Sequence, residues 1–109
     1  MSYEVLFIPP FDRQLKRLAQ KYPSLKTEFL QLIDSLENNP RQGVDLGKNC
    51  YKIRMAIASK GKGKSGGTRV ITNVVVEETT VYLLSIYDKS VKENLSPKEL
   101  DELLQFVPE

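Results

Sequence analysis

At 109 residues, with 40% apolar and 28% charged side chains and a net charge of +2, the chain has the size and balance of a single domain over residues 1–109. It has no histidine and one cysteine, Cys50, which excludes an internal disulfide, imidazole metal sites and any Cys–His nucleophile pair. The opening segment carries Glu4 where a secretory leader needs bases, and no run approaches the ~18 apolar residues of a membrane span, so a cytoplasmic protein without a membrane partner is expected.

Residues 3–8, Tyr-Glu-Val-Leu-Phe-Ile, predict a short strand closed by Pro9 and Pro10. From Phe11 to Tyr22 the apolar positions Phe11, Leu15, Leu18, Ala19 and Tyr22 recur at helical spacing, opposite a basic side of Arg13, Lys16, Arg17 and Lys21. That side is a solvated face, an extension of a nucleic-acid footprint or a contact for an acidic partner. Pro23 ends the helix, and Ser24 is placed to cap a second one with Leu25, Phe29, Leu32, Ile33 and Leu36 inward, ending at Asn38-Asn39-Pro40. A loop containing Gly43 and Gly47 follows.

Residues 50–76 predict a β-hairpin with a basic tip. Tyr51, Ile53, Met55 and Ile57 alternate with Lys52, Arg54, Ala56 and Ala58, so one face packs and the other carries charge. Between Asp45 and Glu77 stand Lys48, Lys52, Arg54, Lys60, Lys62, Lys64 and Arg69 with no acid among them, an unbalanced surface suited to an anion. Gly63-Lys64-Ser65 matches the end of a P-loop, but Ala58 stands where its first glycine belongs, and the segment returns to a strand. The tip lysines instead suit phosphate neutralisation, or simply keep the hairpin soluble. Glu77–Thr80 reads as a turn. Residues 81–87 are the next strand, with Val81, Leu83, Ser85 and Tyr87 assigned to one face. Ser96-Pro97-Lys98-Glu99 is a capping box opening a last helix with Leu100, Leu103 and Leu104.

The order is therefore β-α-α-β-β-β-α, an α+β fold in which the helical hairpin covers one face of an antiparallel sheet. The other face stays at least partly open, towards Lys52, Arg54, Arg69 and Tyr87. Arginine suits bidentate phosphate contact, and Lys52 suits either a point charge or proton transfer. Tyr87 is a packing residue or an acid–base group. The alternative for the cations is an ordinary solvent-facing row. Cys50 has no activating neighbour and reads as inert. Asp88 and Glu93 read as solvated.

With that order, Cys-Tyr-Lys-Ile-Arg at 50–54, Gly-Thr-Arg-Val-Ile at 67–71 and Leu-Leu-Ser-Ile-Tyr-Asp-Lys-Ser at 83–90, the chain resembles the RelE/ParE superfamily of bacterial toxins over nearly its full length, and within it a HigB-like branch. The resemblance implies the toxin of a type II toxin–antitoxin system. It implies a ribosome-dependent endoribonuclease that cuts mRNA through 2′-hydroxyl attack without metal or cofactor, neutralised by a cognate, HigA-like helix-turn-helix antitoxin. Carried over, the family's catalytic basic residues fall on Lys52, Arg54, Arg69 and Lys89. A tyrosine found further along in some members has no counterpart in Glu93-Asn94-Leu95-Ser96, so Tyr87 is the substitute acid or base; Lys60, Lys62 and Lys64 are assigned to RNA backbone. A ParE-like gyrase poison or a non-catalytic nucleic-acid-binding module of the same fold is the alternative.

Overall fold

The computed structural model describes residues 2–58, 67–92 and 94–108. Strand β1 (Glu4–Phe7) leads into helices α1 (Pro9–Lys21) and α2 (Leu25–Asn38). Strands β2 (Val44–Gly47), β3 (Cys50–Met55), β4 (Thr68–Val75) and β5 (Thr80–Asp88) follow, and α3 (Pro97–Leu104) closes the chain. The five strands form one sheet in the order β1-β5-β4-β3-β2, antiparallel except that β1 runs parallel to β5. No helix among the described residues is long and apolar enough to cross a membrane.

Three local outcomes differ from the sequence expectation. Pro9 and Pro10 do not merely stop β1; they occupy the first turn of α1, where the missing N–H groups cost nothing. Ser24 precedes α2 but makes no capping bond, because its hydroxyl donates to Glu28 Oε1 at 3.2 Å. The predicted loop around Gly43 and Gly47 is strand β2, joined to β3 by a two-residue turn. Both turn residues, Lys48 (φ 56°) and Asn49 (φ 60°), are left-handed, as a hairpin of this length demands. Asn73 on β4 donates its side-chain amide to the carbonyls of Lys48 and Asn49 at 3.1 and 3.4 Å, satisfying the turn from within the sheet. By contrast, the Ser96–Glu99 capping box forms as expected, with both reciprocal bonds present.

Helices α1 and α2 cover one sheet face. Phe11, Leu25 and Leu36 are fully buried, and Phe7, Phe11 and Phe29 stack at centroid distances of 5.6–6.5 Å. At β4–β5 the register shifts between Ile71, which faces Ser85, and Thr72, which faces Leu83. The bulge leaves Leu84 as the extra residue and reverses the alternation along β5. Val81 and Leu83 therefore stand opposite Val74 and Thr72, whereas Ser85 and Tyr87 stand opposite Ile71 and Arg69. The expectation that all four share a face fails at this bulge.

Candidate active site

The second sheet face carries the expected cations. On β3 the burial pattern alternates, with Tyr51, Ile53 and Met55 buried, Lys52 half-buried and Arg54 exposed. Cross-strand pairing then sets Arg54 directly opposite Arg69, and Arg69 directly opposite Tyr87. Three strands thus contribute one side chain each to a single row across the sheet. One pleat away, Lys52 faces Ile71, which faces Ser85. Like charges directly opposed across an antiparallel pair are unfavourable by some tenths of a kcal/mol, so nothing in sheet stability selects the Arg54–Arg69 pairing.

The four differ in their surroundings. Arg69 is only 3% exposed, and its guanidinium donates to the Thr68 carbonyl at 3.4 Å among its contacts. Lys52 Nζ donates to Asn94 Oδ1 at 3.0 Å, so the segment after β5 reaches across to β3. Tyr87 is buried rather than facing an opening, and its hydroxyl has no hydrogen-bond partner among the described residues. Burial pushes that phenol above its ordinary range, against the opposing pull of Arg69 and with a smaller push from Glu99. It therefore keeps its proton at neutral pH. Lys89 lies just past β5, half-buried, with its N–H bonded to the Gly67 carbonyl at 3.2 Å. Gly67 itself must be glycine, because a Cβ there would come within 2.3 Å of the Met55 carbonyl oxygen. Lys60, Lys62 and Lys64 lie outside the described residues, as does Glu93.

Helix α3 and the segment before it cover part of this face, so it is less open than its sequence suggests. Leu100 is buried there, Lys48 pairs with Asp101, and Lys92 pairs with Glu99. Hydrogen bonds from Lys92 and from the Ser96 N–H hold the Glu99 carboxyl at about 2. Beneath, Asp88 is buried and not solvated as its sequence context implied; it accepts from Tyr22 Oη at 2.7 Å and from the Ser90 N–H and hydroxyl at 2.9 and 2.8 Å. Cys50 is fully buried, and burial pushes its thiol up, as expected of an inert residue.

Two residues that support the row were missed in the sequence. Asn94 lies in a stretch without periodicity and gave no signal. Gln14 did give one, since it is a polar residue at helical spacing between Phe11 and Leu18. Its Oε1 accepts from the Ser85 hydroxyl and the Ile86 N–H, each at 3.1 Å. Strand β1 pairs with β5 only as far as Leu83, and Gln14 satisfies the exposed edge beyond it.

Among solved structures, the chain is similar to a free double arginine-to-alanine mutant of Escherichia coli toxin RelE, with TM-score 0.63 and 18% identity over 99% of this chain and 100% of that one. It is also similar to a chain of the intact E. coli RelBE toxin–antitoxin complex (TM-score 0.60, 19% identity, 80% and 96% covered). A third likeness is to a chain of the RelBE2 toxin–antitoxin complex of Mycobacterium tuberculosis (TM-score 0.59, 18% identity, 81% and 99% covered). At these identities the likeness establishes the fold. The model of the family described as the RelE toxin of the RelE/RelB toxin–antitoxin system matches residues 11–107, from α1 through α3 and including every strand of the cationic face, and the chain therefore belongs to the RelE toxin family.

Proposed function

We propose that this toxin is an endoribonuclease that cuts mRNA on the ribosome by attack of the RNA's own 2′-hydroxyl, and that a cognate antitoxin neutralises it. The observation that carries this reading is the row Arg54–Arg69–Tyr87, one residue from each of three adjacent strands, with Lys52 one pleat away. Two arginines directly opposed in register suit the two non-bridging oxygens of a phosphodiester and the extra charge of a phosphorane. In the reaction the 2′-oxygen loses its proton and bonds to phosphorus. The phosphorus–O5′ bond then breaks, and the leaving oxygen gains a proton, giving a 2′,3′-cyclic phosphate and a 5′-hydroxyl.

Arg54 and, once the cover over this face shifts, the buried Arg69 hold the phosphate, Lys52 serves phosphate or proton transfer, and Lys89 adds positive charge at the strand end. Tyr87, neutral at working pH, fits the acid that protonates O5′ better than the base. Its hydroxyl is buried, and the residue lines a hollow with Lys92, Leu95 and residues of α3, so reaching the substrate requires this edge of the site to open. The glycine–lysine tip at 60–67 serves as an RNA anchor. Dependence on the ribosome accounts for a net charge of only +2, because the ribosome supplies orientation and much of the binding surface.

Arg54→Ala tests the reading, since Arg54 is exposed and its removal leaves the core intact. Purified variant and parent are compared for cleavage of a message on translating ribosomes, with the new ends analysed. Loss of one such donor is expected to lower the rate about 10²–10³-fold. Failure of the parent protein to cut message on translating ribosomes sinks the proposal, and inhibition of gyrase supercoiling by the parent would replace it with the ParE-like alternative.

A further inference from the structure

Tyr87 has a second neighbourhood. Besides standing in the cationic row, it forms one wall of a cavity of about 330 Å³ between α1, the end of β5 and the turn after it. Leu18, Ile86 and Val91 supply the other apolar walls, and Val91 is 80% exposed. Arg17 and Lys21 line the same cavity from α1, four residues apart and so on one side of the helix. Both are exposed, and Lys21 lies 5.4 Å from the centroid of the Tyr22 ring. Lys92 lines it too, although its ammonium is paired with Glu99. The one acid in the lining, Asp88, is bonded by Tyr22 and Ser90.

An apolar, part-aromatic hollow with Arg17 and Lys21 at its rim, which outnumber the one lining carboxylate, Asp88, suits a ligand with a flat apolar body and an attached anion. Its volume lies at the low end of the roughly 300–1,000 Å³ of small-ligand sites, which favours one nucleotide unit over a folded segment of protein. Tyr87 belongs both to the lining of the hollow and to the row, where it stands opposite Arg69, so a strand held at the row would have a neighbouring unit on the side of the hollow. We infer that this cavity takes one unstacked base of the single-stranded RNA substrate, with the adjoining backbone phosphate held by Arg17 and Lys21. The inference rests on the ribonuclease reading for the identity of its ligand. It gives a function to the basic side of α1, which the phosphate row alone leaves idle.

The test uses the full chain and a short single-stranded RNA blocked against cleavage by 2′-deoxy substitution. Affinity is read by fluorescence anisotropy over a salt series, and an abasic version of the oligonucleotide serves as the second ligand. Arg17→Glu with Lys21→Glu is expected to weaken binding at least tenfold. The slope of log affinity against log salt should flatten by about 0.7 for each phosphate of the single strand that the variant no longer neutralises. Val91→Asp, at a largely exposed position that leaves the core alone, should reduce the affinity for the base-containing RNA towards that for the abasic one.

Unchanged affinity and slope in the charge-reversed protein would overturn the inference, as would equal affinity of the parent for the two RNAs. Protection of Arg17 and Lys21 by antitoxin but not by RNA would also overturn it, in favour of an acidic protein partner. Arg54→Ala separates this inference from the reading beneath it. Retained base-dependent binding without any cleavage by the parent on ribosomes removes the ribonuclease reading while leaving the cavity as an RNA site; cleavage that is lost with Arg54 but indifferent to Arg17, Lys21 and Val91 does the reverse.

Discussion

The two faces of the sheet are made by alternate residues of the same strands, yet they obey different rules. Towards α1 and α2, side chains such as Ile53, Val70, Val74 and Val81 are buried and apolar, and every neighbour supports the next. Towards α3, the register sets Arg54 against Arg69 and leaves the buried hydroxyl of Tyr87 without a partner among the described residues. The first face is mainly a packing face, although Thr68 and Thr72, on the same side of β4 as Val70 and Val74, keep buried hydroxyls without a partner among the described residues. What sets the second apart is the pair of directly opposed like charges, Arg54 and Arg69, which a fold selected only for stability would remove. Features of that kind are expected where function sets the residue choice.

Mutations should separate the faces cleanly. The largest effect belongs to the helical face: Phe11→Ala empties a fully buried ring site stacked on Phe7 and Phe29, and should cost about 3–5 kcal/mol of stability, measured by urea unfolding. A loss under about 1 kcal/mol would mean that this face is not the stabilising one. Tyr87→Phe should act in the opposite sense on the other face. Removing a buried hydroxyl that has no partner is expected to raise stability by about 1 kcal/mol while slowing RNA cleavage. A variant that is both less stable and fully active would show that Tyr87 is a packing residue.

The smallest effect is one of pH and involves groups on the charged face and its edge. Burial raises the Cys50 thiol above its ordinary value of 9.0 and the Tyr87 phenol above 10.0, so in the folded chain both hold their protons longer than when unfolded. Above those unfolded values the unfolded state binds fewer protons, and stability must fall as pH rises. The decline should start near pH 9 with the thiol and steepen near pH 10 with the phenols of Tyr87 and of Tyr82, the latter raised by burial and by its bond to Glu78. Thermal unfolding of Cys50→Ala should lack the earlier part of that decline; an unchanged profile would show that Cys50 does not contribute to it.

Much of this was legible in the chain. The stripe of Phe11, Leu15 and Leu18, the stripe from Leu25 to Leu36, and the Ser96–Glu99 capping box each declare themselves through spacing over a few residues. So does the alternation that puts Lys52 and Arg54 on one side of β3. Strand β2 was not legible, because Val44-Asp45-Leu46-Gly47 is short, exposed and glycine-bounded, and its strand character comes from pairing with Cys50–Lys52. Ser24 kept the capping residue type but gave its hydroxyl to Glu28, a choice between near-equal partners that local sequence does not decide.

Element order, the inward faces of the helices and the concentration of positive charge between Asp45 and Glu77 follow from the chain alone, because each depends on neighbours close along it. Which of those charges meet was decided in three dimensions. Arg54, Arg69 and Tyr87 form a row only because the β4–β5 register places a bulge at Leu84, turning Ser85 and Tyr87 away from the face that Val81 and Leu83 occupy. The cover from Asn94 and α3 likewise joins residues 42 positions apart in the Lys52–Asn94 bond. Strand register and long-range cover are set by the packing of the whole sheet, and no local period encodes them.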